Sequence, residues 1–266
     1  MKKITTFPKK EEFEKAKNQL DLLGLEYEVI TPSSAFCKVG IESIVVDQHV
    51  RASLYRNSIP DFVDSGWVDY RLTQIVISKE NHKNFSEDVF GEANIMVLSP
   101  CYADETKIRI IAHISGDMEK VLPYMNSHIK GAFFNPNLNC LTFKDGYRII
   151  TLYPRKIAVA KADEIIDAWR VLELIRCKVN ETWLKRNEIK PSYEMKHKPP
   201  ALEIYKRLPK INCKQCGENT CLSVSMQLWN GLSIPSECKP VFEGEYIHLK
   251  DALLQICSGI GVQEAN

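Results

Sequence analysis

No stretch of these 266 residues approaches the 18 consecutive apolar residues that a membrane-spanning helix needs, so no membrane span is expected. The opening run Met1-Lys2-Lys3-Ile4-Thr5-Thr6-Phe7-Pro8 begins with charge, but neither an apolar stretch nor a small-residue cleavage site follows it. A secretory leader is therefore not expected, and the cytoplasm is the expected compartment. An excess of charge is missing too: 35 Lys and Arg face 34 Asp and Glu, for a net charge of +1. Bulk electrostatics thus recommend neither nucleic acid nor an anionic membrane as a partner. There is no Gly-x-Gly-x-x-Gly turn, no phosphate-binding Gly-Lys-Ser/Thr loop and no Gly-x-Ser-x-Gly elbow, which leaves nucleotide use and serine-hydrolase chemistry without support. The six histidines, at positions 49, 82, 113, 128, 197 and 248, show no metal-ligand spacing among themselves.

Cysteine, by contrast, is plentiful. Nine occur without an export signal, and that combination argues for thiol chemistry in a reducing compartment rather than a disulfide framework. Four of them, Cys213, Cys216, Cys221 and Cys238, follow the spacing Cys-x2-Cys-x4-Cys-x16-Cys. A short loop can aim the first three at one centre, and the last returns after a segment long enough for a helix of about three turns. They are the expected ligands of one metal cluster, and a [4Fe-4S] cube needs four such corners. The other five, Cys37, Cys101, Cys140, Cys177 and Cys257, are scattered singly and read mostly as small buried hydrophobes.

Zinc is the rival metal. Four-cysteine zinc sites usually pair two Cys-x2-Cys knuckles, whereas here the second pair is split around an apolar helix. The plant-type Cys-x4-Cys-x2-Cys and bacterial Cys-x2-Cys-x2-Cys-x3-Cys-Pro patterns do not match either. Around the ligands, Gly217 suits a positive φ, Asn219 is expected to cap a helix starting near Cys221, and Asn230-Gly231 is expected to end it. Lys210, Lys214 and Lys239 either favour the more negative reduced cluster or serve solubility alone.

The segment Leu208-Pro209-Lys210-Ile211-Asn212-Cys213-Lys214-Gln215-Cys216-Gly217-Glu218-Asn219-Thr220-Cys221, with its Pro-x-x-Asn-Cys and Cys-Gly-Glu signatures, resembles a known module. It is similar to the four-cysteine domain of the large subunit of the corrinoid iron-sulfur protein and of the B subunit of the Rnf electron-transport complex. The resemblance covers roughly residues 201–250. It implies one [4Fe-4S] cluster per chain on Cys213, Cys216, Cys221 and Cys238. It also implies an anaerobe's one-carbon or corrinoid metabolism as the setting, with a corrinoid or one-carbon enzyme as a partner.

Upstream, apolar periodicity predicts a β-α-β-β opening, with a strand over 2–7, a helix over Lys9–Leu23 closed by Gly24, and strands at Leu25–Ile30 and Ser43–Val46. Further strands are expected at Gln74–Ser78, Ala93–Leu98, Lys107–Ile114, Ala132–Phe134, Cys140–Phe143, Tyr147–Tyr153 and Ile157–Ala160. Helices are expected over Met118–Ile129 and from about Asp163 along the stripe Ile165, Trp169, Leu172, Ile175, Val179 and Trp183. Near the C-terminus, helices are expected at Ala201–Leu208 and Tyr246–Cys257. The fold class expected is α+β, with two small sandwich-like α/β units followed by a small helical iron-sulfur domain. The expected boundaries are an N-terminal domain over 1–103, a ferredoxin-like domain over 104–190, a proline-containing linker over 191–200 and the cluster domain over 201–266.

Asp47-Gln48-His49-Val50-Arg51-Ala52 is similar to the Asp-x-His-x-x-Gly motif of a cobalamin-binding family, but alanine replaces the glycine, and an exposed polar loop is expected instead. The stretch from Asp64 to Arg71 fits a loop anchored by Trp67 and Tyr70 better than a docking surface. Cys101, just after a strand, is expected to be buried. The function expected is low-potential single-electron transfer to a redox partner protein, and the protein is expected to be a carrier rather than an enzyme. Alternatives are a redox enzyme subunit with its substrate site in residues 1–190, or a zinc-stapled interaction protein.

Overall fold

The computed structural model describes residues 1–55, 61–71, 82–195 and 199–262. In chain order the elements are β1 (Lys2–Thr5), α1 (Lys10–Leu22), β2 (Glu28–Ile30), β3 (Ser43–Asp47), α2 (Gln48–Leu54), β4 (Val68–Asp69), β5 (Ala93–Cys101) and β6 (Asp104–Ile114). Next come α3 (Leu122–His128), β7 (Phe133–Asn135), β8 (Cys140–Asp145), β9 (Arg148–Tyr153), β10 (Lys156–Ala162) and α4 (Ile165–Leu184). Four helices follow: α5 (Ala201–Tyr205), α6 (Cys221–Asn230), α7 (Lys239–Phe242) and α8 (Lys250–Gly259). The architecture is mixed α+β with a helical C-terminal region, as expected. The strand expected at Gln74–Ser78 lies outside the described residues.

Compactness divides the chain into two units, Met1–Leu122 with Ile150–Glu188, and Pro123–Ile149 with Ile189–Asn266. In the first, a four-stranded antiparallel sheet has the order β2-β3-β1-β4. Phe13, Ala16 and Leu20 recur on one face of α1, and they pack with Phe7, Ile44, Val46, Val50 and Leu54 into one core. Val50 and Leu54 explain why residues 48–54 form a helix rather than the expected exposed loop. They stand four apart, on the face that covers this core. His49 remains exposed on the opposite side. A second antiparallel set, β5-β6-β10, is covered by buried Ile165, Trp169, Leu172, Ile175 and Val179 of α4. Glu164 caps α4 by accepting from the amides of Ile166 and Asp167.

Within the stretch from Asp64 to Arg71, Trp67 packs against the core as expected, and its hydrogen-bonding tyrosine is Tyr55 rather than Tyr70. Trp67 Nε1 donates to Asp64 Oδ2 at 2.9 Å and to the Tyr55 hydroxyl at 3.0 Å, while Gly66 N donates to Asp64 Oδ1 at 2.9 Å. Burial, and then the hydrogen bond to Asp64, push the Tyr55 phenol up to about 12. Cys101 is buried at the end of β5.

Helix α3 starts later than its periodicity predicts. Asp117 first ties down a turn by accepting from Glu119 N at 2.9 Å, and Pro123, which has no N–H to contribute, falls in the first helical turn. The described part of the expected linker has neither helix nor strand, but its backbone is held. The buried side chain of Asn126 donates to the carbonyls of Ser192 (2.9 Å) and Glu194 (3.0 Å). The C-terminal core gathers Ile204, Leu208, Val224, Leu228, Val241, Leu253 and Ile260 with Cys221, Cys238 and Cys257.

Candidate metal centre

Two of the four cassette cysteines are thus part of the C-terminal core, a third packs against it, and one is exposed. Cys221 and Cys238 are 7% and 5% exposed, Cys216 is partly buried and Cys213 is exposed. All four line one pocket, together with Leu208, Pro209, Asn212, Lys214, Glu218, Thr220, Val224 and Pro240. The four sulfur-bearing residues that the spacing singles out are therefore brought together, with apolar walls on one side and a loop on the other.

That loop is held in an unusual backbone conformation. Lys210, Asn212 and Lys214 have φ of 64°, 50° and 62°, and Gly217 has φ of 84°. Left-handed backbone is uncommon for residues with a Cβ, and three of them alternating within five positions fold the chain back on itself. Positive φ at Gly217 follows from its lack of a Cβ; at the two lysines the signal is absent from the sequence. The amide of Gly217 donates to the carbonyl of Lys214 at 3.0 Å, which closes the turn between Cys213 and Cys216.

From this loop the chain enters α6, whose first residue is Cys221. Thr220 is its cap, with Oγ1 accepting from Ser223 N at 3.0 Å. Asn219, expected in that role, is one position too early: Thr220 is the residue whose extended backbone (φ −142°, ψ 152°) aims its side-chain oxygen at the third amide of the helix. A second acceptor comes from the loop itself, since Asn212 Oδ1 takes the Cys221 amide at 2.8 Å. Glu218 completes the clamp through Ser223 Oγ and, at 3.3 Å, Gln227 Nε2. At the other end Gly231, with φ of 68°, closes α6 as expected.

The donor set favours a positively charged guest. Burial above all pushes the Cys238 thiol up to about 11; a hydrogen bond from Val241 opposes this, and the neighbouring Cys216, Cys221 and Cys213 add to it. Four thiols that share one pocket lose their protons together only if a cation neutralises the thiolates. The residues present thus fit a cationic iron-sulfur core, which Cys213, Cys216, Cys221 and Cys238 would hold. Of the lysines expected nearby, Lys214 lines the pocket, and Lys210 stands over the Tyr205 ring at 5.7 Å. Lys239 begins α7, directly after Cys238.

Among the other cysteines, Cys101, Cys140 and Cys257 are buried as expected, and Cys177 is partly buried. Cys37 is the correction. It closes a short turn whose Ala35 and Phe36 fill the available core space, leaving its own thiol exposed.

Residues 208–240 match the family model described as "Putative Fe-S cluster". The gamma subunit of the acetyl-CoA decarbonylase/synthase complex of Archaeoglobus fulgidus is 43% identical over 47 residues, covering 18% of this chain and 10% of that protein. The gamma 1 subunit of the same complex from Methanosarcina thermophila is 36% identical over 74 residues, covering 24% of this chain and 16% of that one. The chain therefore spans only a small part of the length of these relatives. No solved structure matches the chain. The chain's likeness to an iron-sulfur cluster family rests on the segment 208–240.

Proposed function

We propose that the chain binds one [4Fe-4S] cluster through Cys213, Cys216, Cys221 and Cys238 and passes single electrons at low potential to a partner protein in anaerobic one-carbon metabolism. The observation that carries this reading is the convergence of four thiols on one pocket at the start of α6, inside the segment matched by the iron-sulfur family model. Residues 201–266 act as the cluster domain. The setting rests on the relatives, which are subunits of a decarbonylase/synthase complex.

When bound, the cluster supplies one-electron redox chemistry. The chain's own residues hold and tune it. Val224 and Leu208, both buried and lining the pocket, keep water from the inner face, while exposed Cys213 marks the edge nearest solvent and hence nearest a redox partner. The first amides of α6 and the ammonium of Lys214 favour added negative charge and so favour the reduced state.

Purification without oxygen tests the proposal. The expected product is brown, holds about four iron atoms per chain and develops an electron paramagnetic resonance signal on one-electron reduction. A colourless protein with one zinc per chain would overturn the redox reading and leave a zinc-stapled interaction domain.

A further inference from the structure

Outside the cassette, one cysteine stands apart from the rest. Cys37 Sγ lies 3.2 Å from His82 Nδ1, a contact between side chains 45 residues apart in sequence. The thiol is exposed, whereas Cys101, Cys140 and Cys257 are buried. Cys177 is only partly buried, but burial and then Glu173 push its thiol up to about 11, away from reactivity. Cys37 also lines a cleft of about 500 Å³ within the first compact unit. The walls of this cleft carry both signs of charge. Lys38 pairs with Glu92 at 3.0 Å, and Lys10 with Glu42 at 3.4 Å.

A thiol within reach of an imidazole is the arrangement of an activated nucleophile, because the ring takes the proton as sulfur attacks. A cleft that offers ammonium and carboxylate groups side by side suits a small ligand bearing both charges, since each ligand charge meets an opposite one. From these observations we propose that Cys37 and His82 form a thiol–disulfide exchange site for low-molecular-weight disulfides derived from amino acids or short peptides.

The step balances without an added reagent. His82 takes the Cys37 proton, and the thiolate attacks one sulfur of the ligand disulfide. A new bond joins Cys37 to that sulfur as the old S–S bond breaks, and the departing sulfur leaves as a thiolate that receives the proton back from His82. Cys37 is oxidised, the released thiol is the reduced product, and the net result is one mixed disulfide.

The test uses the full chain, purified without oxygen with its cluster, exposed briefly to cystine, quenched in acid and mapped by peptide mass. The expected result is a half-cystine adduct on Cys37, formed faster than on a synthetic peptide of residues 34–40. The His82→Gln variant should form it at least about tenfold more slowly. Bis(2-hydroxyethyl) disulfide, which carries no charge, should react more slowly than cystine at Cys37. Three outcomes would overturn the proposal: a Cys37 rate no higher than the peptide's, an unchanged rate in His82→Gln, or no preference for the zwitterionic disulfide. Cys177 serves as the internal check on His82→Gln, since it stays slow only while α4 remains packed. Should that variant unfold, the comparison of the wild-type protein with the peptide decides alone.

Discussion

The side chain of Asn212 accepts the backbone amide of Cys221 at 2.8 Å, so the loop that carries the first two cassette cysteines is tied to the helix that carries the third. Asn212 does this from left-handed backbone, with φ of 50°. Asparagine tolerates that conformation better than most residues with a Cβ, and a hydrogen bond at a helix N-terminus replaces a partner the helix cannot supply itself.

This relationship predicts a graded mutant series. Asn212→Asp keeps the acceptor and should keep full iron content. Asn212→Gly keeps the backbone but loses the acceptor, costing about 1–3 kcal/mol, and Asn212→Ala loses the acceptor and adds strain at positive φ. Iron content and thermal unfolding, both measured without oxygen, should fall in the order Asp, Gly, Ala. Equal behaviour of the three would show that the tie does not matter.

Removing one corner of the cage separates cluster ligands from ordinary cysteines. Cys221→Ser should lose most of the visible absorbance and the bound iron, because a neutral hydroxyl replaces a thiolate in the pocket shared with Cys213, Cys216 and Cys238. Cys177→Ser, in α4, should retain both. An iron assay on the two variants, side by side with the wild type, is sufficient.

Gly66 offers a test of the first compact unit. A Cβ at this position would stand 2.1 Å from the carbonyl oxygen of Leu98, and its φ is 117°, outside the range comfortable for other residues. Backbone cannot swing aside as a flexible side chain does. Gly66→Ala should therefore destabilise the unit by about 3 kcal/mol or more, read as a lower thermal midpoint or as insoluble expression.

The Tyr55 phenol predicts an alkaline effect. Its folded pKa, about 12, lies above the ordinary 10.0 because burial and Asp64 disfavour the phenolate. A raised folded pKa means that the folded state binds the proton more tightly. The contribution to stability is fully present below pH 10 and is lost as pH rises from about 10 towards 12. In Tyr55→Phe that part of the pH dependence should vanish, and an absorbance titration should lose its last-ionising tyrosine. The variant also loses the hydrogen bond from Trp67, so its stability at neutral pH should be lower.

The shared pocket of the four cysteines is legible in the sequence because the first three lie within nine positions, where spacing alone limits geometry. The end of α6 at Gly231 and the positive φ of Gly217 followed from the missing Cβ. The cap is less legible: Asn219 and Thr220 both have acceptor side chains, and only backbone direction selects Thr220. Among upstream elements, α1 and α4 followed their apolar periodicity. In contrast, α2 is not legible, because seven residues with two buried positions give too short a pattern to distinguish from a loop.

The sequence by itself determined the Cys-x2-Cys-x4-Cys-x16-Cys pattern late in the chain, because residue type and local spacing are properties of a short segment and survive whatever surrounds it. Only the tertiary structure decided which thiols are sealed and which are open: Cys221 and Cys238 in the core, Cys213 at the surface, and Cys37 beside His82. Burial and long-range contact depend on how distant segments pack, and no local pattern records which partner a side chain will meet across tens of residues.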